Sequence, residues 1–378
     1  MASSANPTAG FSFLARNTAA QEERFGKAFR ILGRAITEHA FPGCTVAVTL
    51  RAELVALKAL GRFTYEAASP SLAATSLFDL ASLTKVVSTT AMAMILYERG
   101  VLDLETHVAA IVPEFAGADR RRSAVTLRML LAHSSGLPAY ERLYQKSTTR
   151  EDLLRAAFAT ELASAPETRA EYSDIGFIIL GVAIERLADE TLDRFCQREV
   201  FGPLAMSHTT FTPAKALRDA IPPTADDRSF RHRIIQGEVQ DENASVLGGV
   251  AGHAGLFSSA EDLARLTHCM LNEGYPILRP ETVRLFTRRE ATPPGSSRAL
   301  GWDTPSPPSQ SGKYFSARAF GHLGYTGTSL WIDPQRALSV ILLTNRTWPD
   351  CQNQAIKRVR PAFHDAVVEA LGLSEESR

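Results

Sequence analysis

Ser82 and Lys85 stand three residues apart in Phe78-Asp79-Leu80-Ala81-Ser82-Leu83-Thr84-Lys85, the start of an apolar stretch running to about Gly100. On a helix, that spacing puts both side chains on one face and within touching range. A serine hydroxyl is a weak nucleophile until a neighbouring base takes its proton. A lysine that is partly desolvated and opposed by the positive end of a helix dipole has its charged form disfavoured, so it can be that base. A cation in a first turn otherwise works against the dipole. One rule broken inside a consistent element points to function. The pair alone is a weak signal: 29 serines and seven lysines in 378 residues give 29 × 7 / 378, roughly 0.5 chance matches. An ordinary capped helix with a snorkelling lysine reads the same way.

The pair needs a rigid support, and its own helix is the first candidate. Asp79 is a good N-cap for the first turn. Val86, Val87, Ala91, Met94, Ile95 and Leu96 recur at helical spacing and spill onto neighbouring faces, the pattern of a centrally buried helix. Before it, residues from about Gln21 to His39 carry Phe25, Ala28, Phe29, Leu32, Ala35 and Ile36 on one stripe, predicting an amphipathic helix that Phe41-Pro42-Gly43 stops. Cys44–Leu50 and Glu53–Leu60 read as a hairpin, and Ala67–Ser76 as a loop.

From Gly100 to about Asn243 the pattern is mostly helical. Thr126 caps Leu127–Ala132, and Ser173 or Asp174 caps an apolar helix over Ile175–Leu187. Ser258 or Ser259 caps Glu261–Asn272. Ala291–Lys313, rich in Pro, Ser and Gly, is predicted to be a mobile loop. Three strands follow, Ala319–Gly324, Ser329–Asp333 and Leu338–Thr344. The last element is a helix over Ala355–Leu371 that starts or kinks at Pro361. Strands at both ends with helices between predict one antiparallel sheet built from the two termini, interrupted by a helical insertion. The expected organisation is a single catalytic domain over 1–378, with a sheet lobe from about 20–78 and 255–378 and a helical lobe from about 79–254.

Composition narrows the class. Lys+Arg and Asp+Glu balance at 41 each, so no global field draws the chain to nucleic acid or to an anionic membrane. The compact basic run Arg120-Arg121-Arg122 reads as a solvated loop. Cys44, Cys196, Cys269 and Cys351 are scattered without C-x-x-C spacing, which favours buried reduced thiols over a disulfide framework or a zinc site. The first twenty residues carry no basic n-region and no sustained apolar stretch, and no run of eighteen apolar residues occurs elsewhere. The expected location is the cytoplasm.

With these residues in place the sequence resembles the serine β-lactamase and penicillin-binding-protein superfamily, in its class C β-lactamase-related branch, which also holds carboxylesterases and DD-peptidases. The likeness covers roughly Phe41 to Phe363. It is carried by S-x-x-K at Ser82/Lys85 and by Thr126-Leu127-Arg128-Met129-Leu130-Leu131-Ala132-His133-Ser134-Ser135-Gly136-Leu137-Pro138 and Gly248–Phe257. Tyr172-Ser173-Asp174 matches the family's Y-x-N motif with Asp in the Asn position. His322-Leu323-Gly324, followed by Tyr325, occupies the K-T-G (or H-T-G) position. The resemblance implies an α/β (α+β) β-lactamase-like fold: an antiparallel sheet flanked by helices, plus a mainly helical lobe.

It further implies that Tyr172 lies beside Ser82 and Lys85 and shuttles the proton, its pKa brought down by the nearby ammonium. Asp174 is either a site residue or only a helix cap. The Ser82 and Tyr325 amides would form the oxyanion hole. His322 would keep a polar group at the strand edge, and Gly324 would let substrate backbone approach. Leu323 departs from the pattern by removing the hydroxyl that would bind a substrate carboxylate. His133, at a helix end where an imidazolium suits the dipole, reads as structural. His253 sits in a glycine-flanked turn and reads equally as structural or pocket-lining. Solvent exposure is the default for Glu238, Asp241 and Asn243. The histidines show no close ligand spacing, so neither a metal nor an organic cofactor is expected.

The implied activity is hydrolysis of small esters or amides through a Ser82 acyl-enzyme. D-Ala-D-Ala carboxypeptidase or weak β-lactamase activity is the alternative. An acyltransferase or a non-catalytic binding protein on the same scaffold are further alternatives. The expected partner is a small-molecule ester or amide, with no nucleic acid and no membrane.

Overall fold

The computed structural model describes residues 14–374. Its main sheet has six strands: β1 (Ala15–Arg16), β2 (Gly43–Leu50), β3 (Glu53–Gly61), β4 (Phe320–Leu323), β5 (Ser329–Asp333) and β6 (Leu338–Thr344). They lie in the order β1-β3-β2-β6-β5-β4, so strands from the two ends of the chain meet where β2 pairs β6, with Ala47 opposite Ile341. Every pairing is antiparallel except β1 with β3, which is parallel.

Alternation along the strands sorts the side chains into two cores. Val46, Val48, Trp331, Val340 and Leu342 face one way, against Phe25, Ala28, Leu32, Phe363 and Val367 of the Gln21–Thr37 and Ile356–Ala370 helices. Ala47, Leu330, Ile332, Ile341 and Leu343 face the other way, into a larger core shared with the Ala91–Glu98, Asp174–Ala188 and Ala260–Leu271 helices. Both faces of the sheet are therefore covered.

Local signals in the sequence account for several helix starts. The Thr126 hydroxyl accepts from the Met129 amide and the Ser259 hydroxyl from the Asp262 amide, as caps do. The C-terminal helix keeps its expected bounds but does not start at Pro361. It starts at Ile356 and runs through Pro361, which has no N–H to donate to the Lys357 carbonyl one turn back. The Gln310 side-chain amide donates to that carbonyl at 3.0 Å instead.

Gln310 belongs to the 291–313 segment expected to be mobile, and that expectation is corrected. Leu300 and Trp302 are buried, Gly301 N donates to Leu131 O, and Asp303 bridges Gly321 of β4. The basic run is also corrected at one residue: Arg122 is buried, donating to the Phe115, Phe158 and Thr160 carbonyls. Cys44, Cys196 and Cys269 are buried free thiols as expected, but Cys351 is exposed. Among the described residues no helix is long and apolar enough to cross a membrane.

Candidate active site

A short strand, Phe78–Asp79, pairs with Leu256–Ser258 and delivers the chain to Ser82. The Asp79 carboxylate accepts from the Ala81 amide (2.8 Å) and from the Gln240 amide (2.6 Å), and burial pushes its pKa up to about 6. Asp79 thus does the work of a cap while also tying in a distant segment. Ala81 has φ +47°, a left-handed conformation costing about 1–2 kcal/mol for a residue with a Cβ, directly before the serine. The single α-helix expected from Asp79 is instead a composite. A 3₁₀ turn over Ala81–Leu83 leads into a π-helical turn over Lys85–Thr90, and the α-helix begins at Ala91. Such π turns are common at functional sites.

Ser82 and Lys85 meet as their spacing predicts: Lys85 Nζ donates to Ser82 Oγ at 3.1 Å. Tyr172 arrives from 90 residues away, its hydroxyl 2.6 Å from the same Oγ. Lys85 is fully buried, and its Nζ also donates to Asp174 Oδ1 (2.6 Å) and to the His253 carbonyl (2.9 Å). An ammonium has three N–H donors, and these contacts use all three. On loss of one proton, the two fixed acceptors retain two N–H groups and the lone pair is left facing Ser82 Oγ. Burial lowers the Lys85 pKa, while Asp174 pulls it back up.

Asp174 is not the helix cap. The Ser173 hydroxyl accepts from the Gly176 amide and takes that role, leaving the Asp174 carboxylate to accept from Lys85 and, at 2.9 Å, from the Tyr172 hydroxyl. The expectation that an ammonium lowers the Tyr172 pKa is corrected. Burial, then the Asp174 charge, hold the phenol well above its ordinary value, so it rests as a proton donor. If Lys85 is the base, the acid limb of the kcat/KM–pH profile follows its pKa, because only the neutral amine accepts a proton. In Asp174→Asn the charge that raises this pKa is gone, so the limb is expected to move to lower pH. A limb that stays put or moves up would show that Lys85 is not the titrating base.

His133 supports this segment and does not act as the imidazolium expected at a helix end. Burial, then the Arg298 charge, hold the ring well below the usual histidine range. Its neutral Nδ1 accepts from the Ser173 amide at 3.0 Å and its carbonyl accepts from Glu171 N, while the ring packs 4.8 Å from that of Tyr172. The residue between the phenol and the carboxylate is thereby clamped from one side.

At the K-T-G position, the Thr326 and Thr328 hydroxyls donate to the Asp79 and Leu80 carbonyls (2.8 and 3.0 Å), bolting the turn after β4 onto the serine loop. Buried Arg360 holds the other side through the Gly324 and Thr328 carbonyls. His322 is buried and kept neutral, chiefly by that burial. Its Nδ1 bonds the Leu323 carbonyl, and its ring lies 6.0 Å from that of Tyr172. Gly324 has a second reason to be glycine: a Cβ there would meet the Thr328 hydroxyl and the Leu80 carbonyl, so the chain itself also makes a close approach. Gly324→Ala should cost about 1–3 kcal/mol in chemical denaturation as the turn and serine loop are forced apart; an unchanged midpoint would disprove that tight seat. The Tyr325 ring is 49% exposed, with the Arg346 guanidinium 4.5 Å over it.

His253 reaches the site through its carbonyl, and its Nε2 pairs with Asp241 Oδ1 at 2.9 Å. Asn243 is fully buried, against the default expectation, and bonds Tyr144 N and Glu141 O. Glu238 is drawn outward to Arg233. The residue that sequence reasoning missed is Arg298, whose guanidinium lies 5.6 Å over the Tyr172 ring. Its segment reads locally as a loop, and only its contact with the phenol marks it. Among the described residues no group of three or more His, Cys, Asp or Glu could hold a metal ion.

Comparison with known proteins agrees with this architecture. The β-lactamase family model matches residues 19–361. An N-acetylmuramyl-L-alanine amidase of Bacillus subtilis is 34% identical over 302 residues, covering 72% of this chain and 68% of its own. A Salmonella agona protein with the provisional name D-alanyl-D-alanine carboxypeptidase is 33% identical over 314 residues, 74% of this chain and 72% of its own. The solved structure of EstCE1, described as a hydrolase with promiscuous acyltransferase activity, superposes with a TM-score of 0.76. It covers 92% of this chain and all of its own, at 23% identity, a likeness of fold. The fold is that of the serine β-lactamases and penicillin-binding proteins. The chain belongs to the β-lactamase family and is a serine hydrolase.

Proposed function

We propose that the chain hydrolyses small esters or amides through an acyl-enzyme on Ser82. Lys85 takes the Ser82 proton as Oγ bonds to the substrate carbonyl carbon, and Tyr172 passes a proton to the departing oxygen or nitrogen as its bond to that carbon breaks. The Ser82 and Tyr325 amides hold the oxyanion, each such donor being worth about 10²–10³ in rate. Asp174 orients the amine and the phenol, while His322 and Gly324 shape the substrate edge. Water then attacks the acyl carbon, gives its proton to the same amine–phenol pair, and Oγ leaves as a hydroxyl. The observation that carries this reading is the unbroken contact of hydroxyl, amine and phenol, at 3.1 and 2.6 Å about one oxygen.

A fluorophosphonate probe followed by intact-protein mass spectrometry and peptide mapping tests it, the expected result being one adduct on Ser82. No adduct, or one elsewhere, would favour a non-catalytic scaffold. A D-alanyl-D-alanine carboxypeptidase is the second reading, favoured by the name of the Salmonella relative. Transfer of the acyl group to an alcohol or amine is the third, favoured by the description of EstCE1. Parallel turnover of a p-nitrophenyl ester, a cephalosporin and a D-Ala-D-Ala peptide ranks hydrolysis of esters against its rivals; fast peptide cleavage beside negligible ester turnover would reverse the order.

A further inference from the structure

We propose that His253 and Asp241 are positioning residues for the base: their side-chain pair aims the backbone carbonyl that orients Lys85. The inference rests on the Ser82 acyl-enzyme reading above. Lys85 Nζ has three acceptors, Ser82 Oγ, Asp174 Oδ1 and the His253 carbonyl. Together they set the rotation of the amine, so moving the carbonyl turns the lone pair of the neutral form away from Oγ.

That carbonyl lies in Gly252-His253-Ala254-Gly255, where the glycines lend the backbone little stiffness of its own. Contacts on either side hold the ends of the turn. Thr89 Oγ1 donates to the Gly252 carbonyl (2.7 Å), and the Leu256 amide donates to Thr84 Oγ1 (3.2 Å). At His253 itself the side chain is the anchor. It is 1% exposed, its Nε2 donates to Asp241 Oδ1 at 2.9 Å, and its Nδ1 has no hydrogen-bond partner among the described residues. One contact therefore sets the ring, and through it the peptide that carries the carbonyl.

Asp241 is held in turn. Its Oδ1 also accepts from the Ala244 amide (2.7 Å), and Gln240 just before it donates to Asp79 Oδ2 (2.6 Å), three residues ahead of Ser82. Burial opposes the charge on Asp241, but the pairing with His253 and the Ala244 amide outweigh it and hold the carboxyl below its ordinary range. These contacts close a circuit from the serine loop through Gln240, Asp241 and His253 to Lys85, and back to Ser82 Oγ. The nucleophile and its base are thus fixed against each other by an imidazole too buried to meet substrate.

The rate of fluorophosphonate labelling at Ser82, with kcat and KM for p-nitrophenyl acetate, tests this on the full chain. His253→Leu keeps the bulk and removes the donor. It is expected to slow labelling and lower kcat about 10–100-fold, the cost of a slightly misplaced reacting group, with KM little changed. His253→Gln, whose side-chain amide can donate to Asp241, should recover most of that loss. Asp241→Ala should match His253→Leu, and the double variant should lose little more, because the two residues act as a unit. Asp241→Asn keeps the one oxygen that accepts from both His253 and Ala244, and should recover most of the rate.

Label taken up at saturation counts folded molecules, so a variant that is only unstable loses stoichiometry and keeps its rate. A His253→Leu protein that labels as fast as wild type overturns the proposal. So does a His253→Gln protein as slow as His253→Leu, or single losses that multiply in the double variant. A raised KM at unchanged kcat assigns the pair to substrate binding and overturns it as well. If His253→Leu yields no folded protein, Asp241→Ala against Asp241→Asn decides by the same criteria. If wild-type Ser82 takes no label, the acyl-enzyme reading fails instead.

Discussion

Ser82→Ala is expected to lower kcat/KM on p-nitrophenyl acetate by at least about 10⁴-fold and to abolish the fluorophosphonate adduct, while leaving the melting temperature within a degree or two. The size of the loss follows from removing the atom that forms the covalent bond. What remains is the modest catalysis of an oxyanion hole and a binding site, and nucleophile and base act as one unit, so losing either removes most of their joint effect. The stability forecast follows from the geometry. Ser82 is only half-buried, and without its Oγ Lys85 still donates to Asp174 and to the His253 carbonyl, while Tyr172 still donates to Asp174. Each of these buried groups keeps at least one partner. Turnover near wild type in the alanine variant would remove Ser82 from the mechanism.

Lys85→Ala is expected to lose about 10²–10⁴-fold in kcat, the usual worth of a positioned base, and here stability should fall too. The amine is fully buried and paired with Asp174, whose side chain is 16% exposed. Breaking a buried pair costs about 3–5 kcal/mol, and partial access of water to the surviving carboxylate puts the expectation near the lower end. Lys85→Arg separates the two effects. A guanidinium keeps the charge opposite Asp174 but does not deprotonate in proteins, so it should recover part of the stability and none of the rate. Chemical denaturation and steady-state kinetics on both variants check this. An arginine variant as active as wild type would show that Lys85 serves as a charge and not as a base.

Both forecasts place the chemistry in contacts that close over long sequence separations, and this explains what could be read early and what could not. The i, i+3 meeting of Ser82 and Lys85, the caps at Thr126 and Ser259 and the alternation of β5 and β6 are short-range matters. Side-chain geometry within one turn or one pleat decides them, so the residues alone determine them. The sheet made from both termini followed from where the strand patterns lie.

Asp174 shows the boundary. Adjacent Ser173 and Asp174 can each cap a helix, and only the arrival of Lys85 from 89 residues away decides which carboxylate is needed elsewhere. Likewise, the neutral states of His133 and His322 and the burial of Arg122 and Asn243 depend on desolvation, which is a property of the packed molecule and of no single stretch. The π turn after Ser82 and the guanidinium of Arg298 over the phenol have no local signature either, because neighbours distant along the chain impose them. The sequence by itself determined the meeting of the Ser82 hydroxyl with the Lys85 amine and the elements that carry them. The tertiary structure alone decided their charges and their partners, since burial and Coulomb interaction depend on distance through space.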